Sequence, residues 1–393
     1  MKKRWISGLC AALLVFLPGC AATPAISGTY QVASSDSSLQ TGGVNDTMDK
    51  DIGVACNDIS VLCEESLTLL RDAGITFVKL HVPYPFEADG ATLNANYLAL
   101  KRAMKMIHEA DLKILAQSFT PGGNRYDAAV GAVGWVSNLP NVFEDYEDPY
   151  FYKIAEAGTA YIAEDLKEYT NWWLVSNEPD VNVFTGPMTP EQIGDYLKAG
   201  ARGLKKGNPQ AKTGVNMMVS INPSYSLQLI SRIFDDDGLF DFMGLDSYFG
   251  TLMAGSPESW NAYIEQFYQA TGKPIVITEW AYSSAVYDPS RAPASTGLAY
   301  NSPVCRDKVF SFEWEGHMRS RETQAAYVET CLSIFQNNPH VIGSFWFCIN
   351  DYDGPCWECG DLFCPMNSEW GLLTADNQPK PAYEAFRKYT KAE

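Results

Sequence analysis

Two glutamates close apolar runs: Glu178 in "WWLVSNEPD" (172–180) and Glu279 in "KPIVITEW" (273–280). In both, residues that demand burial lead straight to a carboxylate, whose burial costs free energy unless it is solvated, paired or used. A carboxylate can move a proton or attack an electrophile, and two facing each other in a partly dry cavity can divide those tasks. Other polar or ring-bearing residues end similar runs. Asn177 precedes Glu178, Lys79 and His81 stand in "ITFVKLHV" (75–82), Asp246 and Tyr248 in "FDFMGLDSY" (240–248), and Trp346 in "VIGSFWFCI" (341–349).

Those runs read as strands. With "DIGVAC" (51–56), "LKILAQS" (112–118) and "AKTGVNMM" (211–218) they make eight. Between them lie amphipathic stretches such as "CEESLTLLRDAG", "NYLALKRAMKMIHEA" and "TPEQIGDYLKAGARGLKKG", the last with Thr189 as N-cap and Gly207 as stop. A final helix, "KPAYEAFRKYTKA", follows the eighth strand. Eight strand–helix repeats predict the α/β class and a (β/α)8 TIM barrel, one domain over residues 49–393. A doubly wound open sheet is the alternative, but it more often shows a Gly-rich loop after its first strand, and "ACNDIS" is not one. In the barrel, polar residues at strand ends converge on one cup.

Glu178 on the fourth strand and Glu279 on the seventh would face each other across that cup. Such a pair suits glycoside hydrolysis. At ~5–5.5 Å one carboxylate attacks the anomeric carbon while the other protonates the leaving oxygen, whereas ~6.5–9.5 Å leaves room for water and inversion. "SNEP" and "TEW" at these strand ends resemble the signature of clan A glycoside hydrolases, the superfamily of cellulases, mannanases and β-galactosidases. The likeness covers all eight strands in order, and these two motifs carry it. It implies that Glu178 is the acid/base and Glu279 the nucleophile, with retention of anomeric configuration, and Asn177 a partner of the sugar 2-hydroxyl. It implies also that Tyr248 bonds the nucleophile and that Trp346 is a sugar platform. Two carboxylates suffice, so neither cofactor nor metal is required.

Single positions keep alternatives. Trp346 can be core packing, Tyr248 a rim aromatic, and Asp246 either a brace of the site or the end of a structural network. Many clan members carry an Arg on the second strand that supports the nucleophile. Lys79 stands there instead, a flexible point charge rather than a fork of donors. It either lines the cup or is a buried counter-ion, and His81, two residues on and on the same face, lines the cup or is structural. The acid needs a raised pKa, which burial beside Trp172, Trp173 or another aromatic wall could supply. The expected activity is endo-hydrolysis of a β-glucan or β-mannan. An exo-acting β-glycosidase is the nearer alternative; a non-catalytic glycan-binding protein would be expected to have lost a carboxylate.

The rest of the chain bounds this reading. Lys2, Lys3 and Arg4, the apolar stretch to Leu17 and "LPGC" resemble a bacterial lipoprotein signal over 1–19, with Cys20 lipidated. Plain secretory cleavage near Ala21 to Thr23 is the alternative. Residues 20–48, rich in Ser, Thr, Ala and Gly, would be a flexible tether. A net charge of −18 repels nucleic acid and anionic membranes and favours a neutral, hydroxyl-rich partner. Nothing requires a partner chain, so a monomer is expected. Eight cysteines lie beyond the tether: Cys56, Cys63, Cys305, Cys331, Cys348, Cys356, Cys359 and Cys364. In an exported protein they predict up to four disulfides stapling the loops; zinc at Cys348, Cys356, Cys359 and Cys364 is the alternative. The long loops 119–148, 281–318 and 349–376 carry Tyr126, Trp135, Tyr282, Tyr287, Trp314, Tyr352, Trp357 and Trp370, which would rim a cleft. Asp351, Asp353 and Asp361, like "DDDG" at 235–238, read as turn residues rather than calcium ligands.

Overall fold

The structure is a computed structural model and describes residues 47–127, 132–139, 146–234, 238–286, 303–352, 354, 356, 364–366 and 368–391. Cys20, nearly all of the expected tether, Asp235–Asp237, Tyr287, Asp353, Trp357, Cys359, Asp361 and the side chains of Tyr126 and Trp135 lie outside them. In chain order the strands are β1 (Asp51–Cys56), β2 (Phe77–His81), β3 (Lys113–Gln117), β4 (Gly122–Asp127), β5 (Ala132–Ser137), β6 (Trp172–Leu174), β7 (Lys212–Met218), β8 (Phe242–Ser247), β9 (Ile275–Trp280) and β10 (Val341–Phe347). All but β4 and β5 run parallel and close a barrel, with chain neighbours adjacent and β10 returning to β1. This is the (β/α)8 barrel, and every expected strand is in it. The hairpin β4–β5, within a segment read as loop, is an insertion after β3.

The helices are α1 (Glu64–Asp72), α2 (Ala95–Glu109), α3 (Pro149–Asp165), α4 (Asn182–Thr185), α5 (Pro190–Gly207), α6 (Pro223–Ile233), α7 (Ser259–Thr271), α8 (Pro303–Phe310), α9 (Arg321–Asn337) and α10 (Pro381–Lys391). In α5, Thr189 caps the Gln192 N–H while Gln192 reaches back, and Pro190 presets the first helical φ. Gly207 does not stop that helix by a left-handed turn; it is the last helical residue, and Asn208 is the extended C-cap.

Inside the barrel, Phe77, Leu115, Trp172, Leu174, Phe242, Val276 and Phe345 form a plug separate from the helix-covered outer core. Large side chains fit because small ones face them. A Cβ on Gly53 or Gly214 would lie 2.3 Å from the ring of Phe345 or Phe242. Alternation then decides what comes next, since every second residue of a strand points inward. From Phe77, β2 climbs to Lys79 and His81, and from Phe242, β8 climbs to Asp246 and Tyr248. The plug thus sets the floor on which the polar residues stand.

The expected disulfide staples do not appear among the described residues. Cys331 is a buried thiol in α9, filling core space like a small apolar residue. Cys348 does not join Cys356 and Cys364. It follows β10 to the barrel rim beside Cys56, because Ala55 pairs with Phe347, and Cys305 of α8 takes its place in the cluster. Loop aromatics also turn inward: Tyr282, Trp314 and Trp370 are buried, and Tyr352 is exposed. Asp351 is no free turn residue, for it accepts from Lys380 at 2.9 Å and from the Gly371 N–H.

Candidate active site

Glu178 and Glu279 arrive by different backbone devices. After Leu174 the chain leaves the ladder, and Ser176 and Glu178 adopt φ values of 67° and 35°. Side chains other than glycine avoid that region, so such a turn persists only where its surroundings hold it. Here Ser176 N donates to Ser118 Oγ at 3.1 Å, and Val181 N donates to Glu178 O at 2.8 Å. Glu178 ends 6% exposed with no hydrogen bond to its carboxylate among the described residues.

β9 bulges instead. Against β8, Leu245 pairs with Ile277 but Asp246 with Glu279; against β10, Ser344 pairs with Ile277 but Trp346 with Trp280. Both ladders slip at Thr278–Glu279, and a bulge re-aims side chains. Thr278 and Glu279 both serve the cup, while Trp280 packs outward against Trp346.

The cup is a charge cluster. Lys79 Nζ donates to Glu279 Oε1 at 2.6 Å, and the Tyr248 hydroxyl donates to Oε2. One carboxylate oxygen each from Glu178, Asp246 and Glu279 lies within 4.8 Å of the others. Asp246 accepts from Thr278 Oγ1 and, at 2.5 Å, from Asn216 Nδ2. The same Asn216 amide reaches Asn177 Oδ1 at 2.9 Å, leaving Asn177 Nδ2 as a donor for a ligand. Three carboxylates beside one ammonium, two of them buried and Glu279 half-buried, cannot all ionise cheaply. Burial, then the charges of Asp246 and Glu279, push Glu178 well above the carboxylate range. Burial and Glu279 push Asp246 up to about 7. Burial alone would lower the Lys79 pKa, but Glu279 and Asp246 outweigh it, so the ammonium stays charged. A divalent cation could use the same three carboxylates, but only by displacing Lys79 from Glu279.

The remaining expected residues divide. His81 stands at the mouth, reached by water yet ringed by protein, and its pKa is pushed down to about 4 by that surrounding and by Lys79. Trp346 does not reach the cup. It is fully buried on the outer face of β10, and its indole N–H donates to Trp370 O at 3.0 Å, so it is core and not a sugar platform. Trp172 lies in the plug against Phe242 and Trp173 in the outer core, so neither forms the expected wall beside Glu178. Asn216 and Thr278 were not anticipated. Asn216 shares the inward parity of Gly214, a signal present in "AKTGVNMM", whereas Thr278 depends on the bulge. Asp180, raised to about 6 by burial, ties the turn after Glu178 to Met218 N at 3.0 Å and to Ser226 Oγ at 2.5 Å. A cavity of about 290 Å³ adjoins Phe347 and is lined also by Cys56, Asn57, Asn350, Tyr352 and Met366.

A family model described as the glycosyl hydrolase catalytic core matches residues 150–368, more than half of the chain. No curated protein matches it. Among solved structures, GH5_18 from Streptomyces cattleya in complex with GlcNAc aligns at TM-score 0.60 and 15% identity, over 88% of this chain and 80% of that one. The exo-β-1,4-mannosidase from Opitutaceae bacterium strain TAV5 aligns at TM-score 0.59 and 15% identity, over 88% and 60%. A glucosidase from Croceicoccus marinus aligns at TM-score 0.57 and 14% identity, over 88% and 66%. The chain thus spans less than two thirds of these last two proteins, and at such identities the likeness is one of fold.

Proposed function

Because the chain belongs to the glycosyl hydrolase catalytic core family, we propose that its cup cleaves a β-glycosidic bond with retention, using Glu279 as nucleophile and Glu178 as acid/base. The observation that carries this is the approach of their oxygens to within 4.8 Å. Oxygens that approach this closely favour the ~5–5.5 Å between carboxyl groups of the two-step route over the ~6.5–9.5 Å of inversion.

Each neighbour then has a task. Lys79 and Tyr248 fix both oxygens of Glu279, so that one attacks the anomeric carbon without first reorienting. Glu178, kept protonated by burial and by the charges beside it, gives its proton to the departing oxygen. Once Glu279 is esterified its charge is gone, and one cause of the raised Glu178 pKa goes with it. Glu178 is then a better base for the water that hydrolyses the ester. Asn177, held by Asn216, offers Nδ2 to the 2-hydroxyl. The substrate class we propose is a β-linked polysaccharide of β-glucan or β-mannan type, cut internally. The cavity beside Phe347, whose ring packs against Tyr248, supports this by offering space with an aromatic, Tyr352, in its wall for further sugar units.

The test is a panel of β-glucans, mannans, xylans and galactans, with products followed from the first minutes by proton NMR. Long oligosaccharides appearing first as the β-anomer are expected. An α-anomer would overturn the assignment of Glu279, single sugars would make the enzyme exo-acting, and glycan binding without release would make it a capture protein.

A further inference from the structure

A second cluster of chemically active side chains lies away from the carboxylates. Cys305 of α8 meets Cys356 and Cys364, from the loop after β10, in a small core completed by Val309 and Met366. All three cysteines are at most 2% exposed, and their sulfurs lie within 4.8 Å of one another. Three sulfurs are one too many for a disulfide, which joins two at about 2 Å. They match one face of a tetrahedron instead. Four ligands about 2.3 Å from a central zinc stand about 3.8 Å apart, so a small inward movement closes the set.

The surrounding core is also too small to hold two loop segments by burial alone, the situation in which small folds use a metal or disulfides. We propose that Cys305, Cys356 and Cys364 bind a soft divalent cation, zinc, as a structural site that ties α8 to the loop after β10. Three thiols release three protons on binding. Zinc suits it because thiolate ligands select soft metals and the site needs no redox change.

The place of the cluster gives the metal a consequence. Two residues past Cys364, Met366 lines the cavity beside Phe347. Pro365 O accepts the Trp370 indole N–H at 3.2 Å, and the Trp370 ring meets Tyr248 edge-on at 5.4 Å. Tyr248 in turn holds Glu279. The metal would therefore steady Trp370, the ring packed against Tyr248, and would do so whatever glycan the cup accepts.

The full chain, purified without chelator or reductant, is measured for metal by mass spectrometry, alongside C305S, C356S and C364S. About one zinc per chain is expected in the wild type and loss of it in each variant. Since a variant could misfold, chelator-stripped wild type is also titrated with cobalt. A thiolate-to-cobalt charge-transfer band is expected, and zinc should restore the Tm that stripping lowers. The proposal is overturned if the chain holds no zinc and its cysteines alkylate only after reduction, which would mean disulfides. It is equally overturned if they alkylate freely and neither zinc nor cobalt binds. None of these readouts depends on glycan hydrolysis.

Discussion

The ends of β6 and β9 offer the same side chain within 4.8 Å of each other, yet they prepare it for opposite tasks. At β9 an ammonium and a phenol occupy both oxygens of Glu279, so the surroundings hold a charge in place. At β6 no described residue hydrogen-bonds the Glu178 carboxylate, and burial with two negative neighbours makes its surroundings hold a proton. Identical groups in such different surroundings are suited to different roles. The backbone is divided in the same way, with a left-handed turn delivering Glu178 and a bulge delivering Glu279.

Removing each carboxylate should expose the asymmetry most strongly. Glu279→Ala should lose on the order of 10⁴-fold or more in kcat on every substrate, because no covalent intermediate can form. Glu178→Ala should lose about 10²–10⁴-fold on glycans. On aryl glycosides with good leaving groups it should retain a fast first step, seen as a burst of phenol. Equal losses in the two variants on such substrates would erase the distinction.

Lys79 tests the charge-holding side. Lys79→Met leaves Glu279, Asp246 and Glu178 without a cation, and breaking a buried pair costs about 3–5 kcal/mol. Lys79→Arg keeps the charge but crowds a space shaped for an ammonium, at about 1–3 kcal/mol. Denaturant unfolding should therefore rank wild type above Arg and Arg above Met. A methionine variant as stable as wild type would mean that Lys79 is no counter-ion.

The strands and the inward stations of Lys79, Asp246 and Tyr248 were legible because period 2 from a large apolar residue counts upward reliably. Where the backbone departs from that count, legibility ends. The bulge at Thr278–Glu279 shifts parity by one and sends Trp280 outward, and no local residue pattern announces it. Trp346 failed for a related reason: it ends an apolar strand as a sugar platform would, but its neighbour Phe347 is the ring that meets Tyr248. The grouping of Cys348 with Cys356 and Cys364 was misread because spacing along the chain says nothing of which strand carries each to the rim. Cys348 travels with β10 to Cys56, and Cys305 arrives at the cluster from α8.

Asp246 offers the finest adjustment of the contrast. Its pKa is pushed up to about 7 by burial and by Glu279, above the ordinary value near 4. Between those values the folded chain keeps a proton that the unfolded chain gives up. The stability Asp246 contributes is therefore present at low pH and lost as pH rises from about 4 through about 7. Asp246→Asn should flatten that part of the profile, read by denaturant midpoints across pH. An asparagine can keep accepting from Asn216 while its amide donates to Thr278 Oγ1, so the site need not collapse. The same substitution removes the charge that, after burial, most favours the protonated form of Glu178. The alkaline limb of kcat/KM should then move to lower pH while activity at acid pH changes little. A limb that stays in place would show that burial alone keeps the proton on Glu178, and that the two strand ends differ by solvation rather than by charge.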